Sequence, residues 1–396
     1  MLFQSLDDKK ECVAIFLDGH FIKDIPKNLS QTWSYSAFLK GLDIEYANLY
    51  CGGKAPDEVC PEHLREEWDK INGRMRAYHR SFVEAKISLN DNCFFDLVPE
   101  QFLLQYCDVK NQITKHILKN YEKPENCDFL AELSAFTTEI KHNSLNVDLG
   151  YLKPRLSEYK VRQFYKKLNA VAPYIKYDIF GTKTGRLTTR KNSFPILTMD
   201  KRYRGILRPN NDWFVELDYN AAELRTMLAL LGERQPIEDI HDWNIENVYN
   251  NEVDRDEAKK RIFAWLYNPN SKDDLLKQTY DRDSIKEKYW DGEYVNTIYG
   301  RKIKSDDYHA VNYIIQSTFS DLLLKQAIKI SKLLEGTKTY VAFTVHDSIV
   351  LDMAHEDETM ISEIYHQFAD TEFGPFKTSA KAGKNFGELK ELWIKY

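Results

Sequence analysis

No stretch of this sequence approaches the run of roughly 20 apolar residues needed to cross a membrane, and the mean hydropathy is −0.55. The start, Met1-Leu2-Phe3-Gln4, carries neither the basic nor the apolar region of a secretory signal. These absences predict a soluble, cytoplasmic protein with no membrane partner. Cysteine is sparse. All six (Cys12, Cys51, Cys60, Cys93, Cys107, Cys127) fall in the first third, and none forms a Cys-x-x-Cys pair. Reduced structural thiols are expected rather than a zinc site. The chain also lacks low-complexity tracts and any repeat at a period of roughly 20 to 50 residues, which excludes solenoids and disordered tails.

A basic excess is missing too, with a formal net charge of −6. Phosphate binding depends on cations at the contacting surface, however, so their distribution matters more than the sum. From Lys176 to Asn210 nine basic residues stand against two acids, Asp178 and Asp200. That stretch is either a solvated face or a phosphate-binding surface. Elsewhere, residues 61–90, 98–121 and 127–143 read as mainly helical, broken at points such as Lys123-Pro124. After about Lys176 short β-like runs alternate with helices. Trp213–Leu217 reads as a strand entering Asp218, and Ala221–Gly232 as a helix closed by its glycine. Thr339–Val345 and Ile349–Met353 flank His346-Asp347-Ser348, which predicts a hairpin with His-Asp at its turn.

Three groups of residues could carry chemistry. Asp218 and Asp347 each end an apolar strand, where a carboxylate costs free energy unless it is paired or binds a cation. Ordinary strand-end acids and a magnesium-binding pair both fit this placement. Asp254–Asn268 has an Asp254/Glu257 capping-box pattern and a stop at Asn268-Pro269, so it should be a helix. Arg255, Lys259, Phe263 and Tyr267 then form one stripe, two cations followed by two aromatics, where a core-facing stripe would be aliphatic. Such a stripe suits a phosphate tail at one end and a base or sugar at the other. Finally, Gly181–Thr189 offers glycines and hydroxyls to a phosphate, but no Gly-Lys-Ser/Thr follows at Walker spacing. A nucleotide-hydrolysing motor is disfavoured.

In their order along the chain these segments resemble the DNA polymerase I family (family A). Thr184-Gly185-Arg186-Leu187 is similar to its TGRL element, and Asp218–Arg225 (DYNAAELR) to its first catalytic motif. The Arg255–Tyr267 helix resembles the fingers helix, and Asp239-Ile240-His241 the segment whose histidine meets the incoming triphosphate. Asn312 and Gln316 match the Asn-x-x-x-Gln element, His346-Asp347 the last catalytic motif, and Gly383–Phe386 the closing segment, with Phe for Trp. The resemblance implies an α+β fold, a right-hand polymerase with an antiparallel palm sheet, helical fingers and a reduced or atypical helical thumb. It implies Asp218 and Asp347, with the Tyr219 backbone, as ligands of two Mg2+ ions, Mn2+ being able to substitute. It further implies Arg255, Lys259, Phe263, Tyr267, His241 and Glu223 at the dNTP, with Lys259 also protonating the departing pyrophosphate and Glu223 as a steric gate against a ribose 2′-hydroxyl. Arg186, Thr184, Asn312, Gln316 and His346 are implied at the primer-template DNA.

This sequence departs from the family pattern in places. Ser348 stands where a glutamate usually follows His-Asp, Asn268 replaces the glycine after the fingers tyrosine, and Tyr308 stands where an arginine often lies. Only about 35 residues separate Val147-Asp148-Leu149 from the TGRL element, so either the thumb is minimal or helices within 61–143 replace it. Asp43-Ile44-Glu45 superficially resembles an exonuclease acid pair, but the segment reads as helical and the chain is too short for a proofreading domain. The expected organisation is an N-terminal, mainly helical region (1–143, a vestigial exonuclease or thumb replacement), a minimal thumb or connector (144–180), palm (181–232), fingers (233–290) and palm again (291–396). The implied activity is template-directed DNA synthesis in a compact phage-type enzyme, located in the host cytoplasm, with primer-template DNA, dNTPs and replisome proteins as partners. A translesion or repair polymerase, a single-subunit RNA polymerase and a non-enzymatic DNA-binding replication factor are the alternatives.

Overall fold

Three antiparallel strands open the chain, β1 (Gln4–Asp8), β2 (Glu11–Leu17) and β3 (His20–Ile22), in that order across the sheet. The computed structural model describes residues 1–89 and 91–394, and the chain divides into two units, Met1–His142 and Asn143–Tyr396. In the first unit the strands are followed by the long helices α1 (Glu62–Glu84), α2 (Glu100–Asn120) and α3 (Cys127–His142). Leu64, Trp68 and Ile71 recur at helical spacing and bury one side of α1. Asp57 pins that helix by accepting from Trp68 Nε1 at 2.6 Å, Asn72 Nδ2 at 2.7 Å and Arg76 Nη2 at 2.6 Å. All six cysteines are free thiols. One local expectation fails here. Asp43-Ile44-Glu45 is not helical: Glu45–Tyr46 is a short strand paired in parallel with Gln31–Thr32. Burial of Ile44 and Tyr46 and the partner strand decide this, and both are non-local.

The second unit begins with short irregular segments and the helix α4 (Tyr159–Asn169), then builds a five-stranded antiparallel sheet. Its strands are β4 (Trp213–Tyr219), β5 (Tyr340–Val345), β6 (Ser348–Met353), β7 (Thr378–Gly383) and β8 (Lys390–Glu391), in the spatial order β5-β6-β4-β7-β8. Side chains alternate along β4. Val215, Leu217 and Tyr219 face one way and are buried, while Phe214, Glu216 and Asp218 face the other. On the first face Tyr219 stacks on Phe368 with centroids 4.3 Å apart, and its hydroxyl donates to the Phe368 carbonyl at 2.6 Å.

The helices that matter to the site are α5 (Ala222–Leu231), α6 (Ile240–Asn247), α7 (Arg255–Tyr267), α8 (Ala310–Leu333) and α9 (Ile361–Ala369), of which α8 and α9 pack on the sheet. Gly232 closes α5 with φ +79°, the left-handed conformation its sequence predicts. Most of the middle of α8 is buried all round, its polar Ser317, Thr318, Ser320, Asp321 and Gln326 included. Among the described residues no helix is long and apolar enough to cross a membrane.

The one acid fully buried in α8, Asp321, accepts from Arg301 Nε at 3.0 Å and Nη2 at 2.6 Å. Arg301 in turn lies against Gly185, where a Cβ would come within 2.4 Å of the guanidinium. Removing one partner of such a pair strands a buried charge, which costs about 3–5 kcal/mol. Asp321→Ala is therefore expected to lose about 3–5 kcal/mol in urea unfolding, and a loss below about 1 kcal/mol would show the pair to be dispensable.

Candidate active site

The register of the sheet determines which acids meet. Asp218, next to the end of β4, stands opposite Ser348 of β6 and Ser379 of β7. Asp347 immediately precedes Ser348 in the tight turn between β5 and β6, where Val345 pairs with Ser348. The hairpin expected around His346-Asp347 is thus present. His346 takes φ +53° in that turn, as does Ala221 at φ +45° between β4 and α5. A left-handed backbone costs a residue with a Cβ about 1–2 kcal/mol, so strain is stored on both sides of the acid pair.

Neither carboxylate has a side-chain hydrogen bond or ion pair among the described residues. Burial pushes the Asp218 carboxyl up to about 7, and the negative charges of Glu216 and then Asp347 add to it, opposed by Lys381 and Lys201. Burial also raises Asp347, against the attraction of Arg186 and His346. Two part-desolvated acids that lack partners fit hard divalent cations. No group of three or more Asp, Glu, His or Cys side chains forms a full ligand cage among the described residues.

A cavity of about 510 Å³ adjoins this pair, lined by Arg186, Glu223, His241, Phe263, Tyr267, His346 and Asp347 among others. Within it Glu223 holds two partners: one oxygen accepts from Arg186 Nη2, the other from the Tyr267 hydroxyl. Burial first, and then Glu223, push the Tyr267 phenol well above its ordinary range, so it stays protonated as the donor. Phe263 and Tyr267 stack with centroids 6.1 Å apart and planes at 11°. His241 is buried with Nδ1 unpartnered, and burial lowers its pKa, which keeps the imidazole neutral.

The stripe read from the sequence lies on the open side of α7. Ala258, Ile262, Trp265 and Leu266 bury the opposite side, while Phe263 and Tyr267 remain 48% and 41% exposed. Asp254 caps the helix by accepting from Glu257 N. Arg255 pairs with Asp239 at 3.0 Å and also with Asp242. Burial would raise Asp239, but Arg255, the His241 backbone N–H and Asn220 hold it at about 2. Lys259, one turn along, is part-buried with no ion pair among the described residues.

A fully buried arginine ties these parts together. Arg225 donates to the carbonyls of Asn220 (2.9 Å), Pro236 (2.7 Å) and Glu238 (2.9 Å), and to Asn220 Oδ1 at 3.1 Å. Asn220 donates to Asp239 Oδ2 at 2.8 Å, so the loop after Asp218 is joined to the start of α6 and, through Asp239, to Arg255. Gly185, with φ +78°, lets the Thr184–Arg186 turn sit against Arg301. Thr184 is itself buried, and Asn312 and Gln316 lie one turn apart in α8, part-exposed and free of side-chain hydrogen bonds among the described residues. None of these three lines the cavity, nor do Asp218, Tyr219, Arg255 or Lys259. Sequence reasoning missed Glu216 and the linking roles of Asn220, Arg225 and Asp239. The last three lie inside motifs it quoted, whereas Glu216 carries no motif signal.

The titration of Asp218 has a consequence for stability. A carboxyl raised in the fold contributes stability that is fully present below its ordinary value, near 4, and lost as pH rises through about 7. In metal-free buffer Asp218→Asn should therefore stabilise the protein by about 1–2 kcal/mol at pH 8, discounting the shift for residual solvation, and by much less at pH 5. Calorimetry in chelator at the two pH values checks this, and an Asn variant less stable at pH 8 contradicts it.

No family model matches the chain. Over 229 residues it is 28% identical to a DNA polymerase of Mycobacterium phage L5, an alignment covering 46% of this chain and 37% of that protein. It is 24% identical over 234 residues to a DNA polymerase of Mycobacterium phage D29, covering 46% and 38%. The chain thus spans under two fifths of the length of these curated relatives. Among solved structures it is similar to the POL domain of Pol1 from M. smegmatis in complex with DNA primer-template and dNTP, with a TM-score of 0.58 at 12% identity, over 72% of this chain and 76% of that one. At that identity the likeness is one of fold: this chain has the mixed helix-and-sheet architecture of a polymerase domain.

Proposed function

We propose that the chain is a DNA-directed DNA polymerase of family A that extends a primer 3′-hydroxyl with dNTPs by two-metal phosphoryl transfer, in phage DNA replication. The observation that carries this reading is the unpartnered pair Asp218 and Asp347 beside a cavity bordered by α7, whose open side bears Arg255, Lys259, Phe263 and Tyr267. The phage relatives named DNA polymerase and the polymerase-domain fold support it. In this reading the five-stranded sheet with α5, α8 and α9 is the palm, residues 233–290 the fingers, and residues 144–180 with α4 a minimal thumb.

Asp218 and Asp347, with the Tyr219 backbone, would hold the ions. Two Mg2+ ions there would activate the 3′-hydroxyl and neutralise charge on the α-phosphate and leaving pyrophosphate. The protein's own part is binding, orientation and proton supply. Arg255 and Lys259 carry the charge for a triphosphate, and the neutral His241 offers a ring nitrogen. Arg255 has to exchange Asp239 or Asp242 for phosphate, a like-for-like swap of anions. Lys259 is the proton donor to pyrophosphate. Phe263 and Tyr267 pack on the base and sugar, and the Glu223 carboxylate, held by Tyr267, blocks the space a 2′-hydroxyl would need. Arg186, Asn312, Gln316 and His346 would face the primer-template, while the buried Thr184 shapes the turn that carries Arg186. The bond between Glu223 and Tyr267 favours deoxynucleotides over the RNA polymerase reading, and two uncompensated acids speak against a non-catalytic DNA-binding factor.

Primer extension tests this directly. Asp218→Ala and Asp347→Ala should each reduce the rate at least about 100-fold, since loss of even an outer partner of a metal ligand costs 10- to 100-fold. Wild-type rates in both would end the assignment. Glu223→Ala should keep dNTP use but relax discrimination against rNTPs by about 10- to 100-fold, the range steric selection supplies. Preferential use of rNTPs by the unaltered chain would favour an RNA polymerase instead.

A further inference from the structure

We propose that Glu216 supplies the third carboxylate of the metal centre, from β4, in place of an acid on β6. The inference rests on the polymerase reading and concerns the same site. Strand alternation puts Glu216 two residues before Asp218 on the same face of β4. The positions across from them are Ser348 opposite Asp218 and Val350 opposite Glu216 on β6, with Ser379 and Lys381 on β7. All six therefore share one face of the sheet.

Two contacts define the state of Glu216. The Ser348 hydroxyl lies 3.4 Å from Glu216 Oε1 and donates to the Val345 carbonyl at 3.0 Å. The Glu216 carboxylate has no ion pair within 4 Å among the described residues, although Lys381 stands across from it. The Lys381 ammonium is instead 3.8 Å from Glu391 on the edge strand. Arg204, the other cation that feels Glu216, lies over the Phe386 ring at 4.7 Å. A part-buried carboxylate has thus been left without a neutralising cation one step along the strand from Asp218, as expected for a group whose counter-charge arrives with a ligand.

Position 348 explains why the acid sits on β4. Side chains directly opposite across strands have Cβ atoms about 4.5–5.5 Å apart, and like charges there repel. A glutamate at 348 would face Asp218 and lie diagonal to Glu216. The face can therefore carry a third acid at 216 or at 348 but not easily at both, and this chain has serine at 348. Because hard cations retain bound water, Glu216 acts by accepting hydrogen bonds from that water and adding negative charge, as a positioning residue rather than a direct ligand.

The test is Mn2+ binding to the full chain, followed by titration of the free ion's paramagnetic signal, with thermal unfolding in chelator alongside. Glu216→Gln should weaken Mn2+ binding by about 10-fold or more without lowering the metal-free melting temperature. Adding Ser348→Glu to it should restore affinity to within about threefold, a recovery that a merely structural glutamate would not show. Glu216→Gln binding Mn2+ within twofold of the unaltered chain overturns the proposal. If the single variant melts lower without metal, the double variant decides: recovered Mn2+ binding supports the proposal, and its absence overturns it. Asp218→Asn is the separate control, since unchanged Mn2+ binding and primer extension in that variant would remove the polymerase reading itself.

Discussion

Two carboxylates held at the ends of adjoining strands, with nothing of opposite charge bonded to either among the described residues, is the constraint around which the second unit is arranged. Such a pair is unfavourable on its own, and it persists because the antiparallel register of β4, β5 and β6 leaves no other place for Asp218 and Asp347. The cost is met by the surrounding fold: the buried Tyr219 stack beneath the strand, the largely buried α8, and the Arg301–Asp321 pair. Strained backbone at Ala221 and His346 on either side of the acids belongs to the same pattern, in which local stability is given up where geometry must be held.

The second organising feature is the route from Asp218 to the stripe of α7. It runs through backbone carbonyls and amide groups, not through apolar packing alone. Arg225 fixes the loop at Asn220, Asn220 reaches Asp239, and Asp239 both caps α6 and receives Arg255. Asp239 is thus the carboxylate that the loop after Asp218, the start of α6 and the start of α7 share.

Much of this was legible from sequence because the signals were local. The stripe Arg255, Lys259, Phe263, Tyr267 is visible at a four-residue spacing, and its polar and aromatic character already argued against the core. The hairpin bearing His346-Asp347 followed from two β-branched runs, and the glycine stop of α5 from its position. What escaped depended on register or on burial. Glu216 looks like any strand glutamate until the pairing of β4 with both β6 and β7 shows what lies across from it. Asp321 lies in a helix whose sequence does not name Arg301 as its partner. Asp43–Glu45 was misread as helical because a short parallel pairing with Gln31–Thr32 leaves no periodic trace.

With Arg186 and Tyr267 both satisfied by Glu223, the side chain behaves as an internal ligand, occupying two donors on the cavity wall. A group that bonded to either donor would have to displace this carboxylate, at a cost set by how firmly both partners hold it. The resting protein, on this view, is guarded by an occupant it carries within its own sequence.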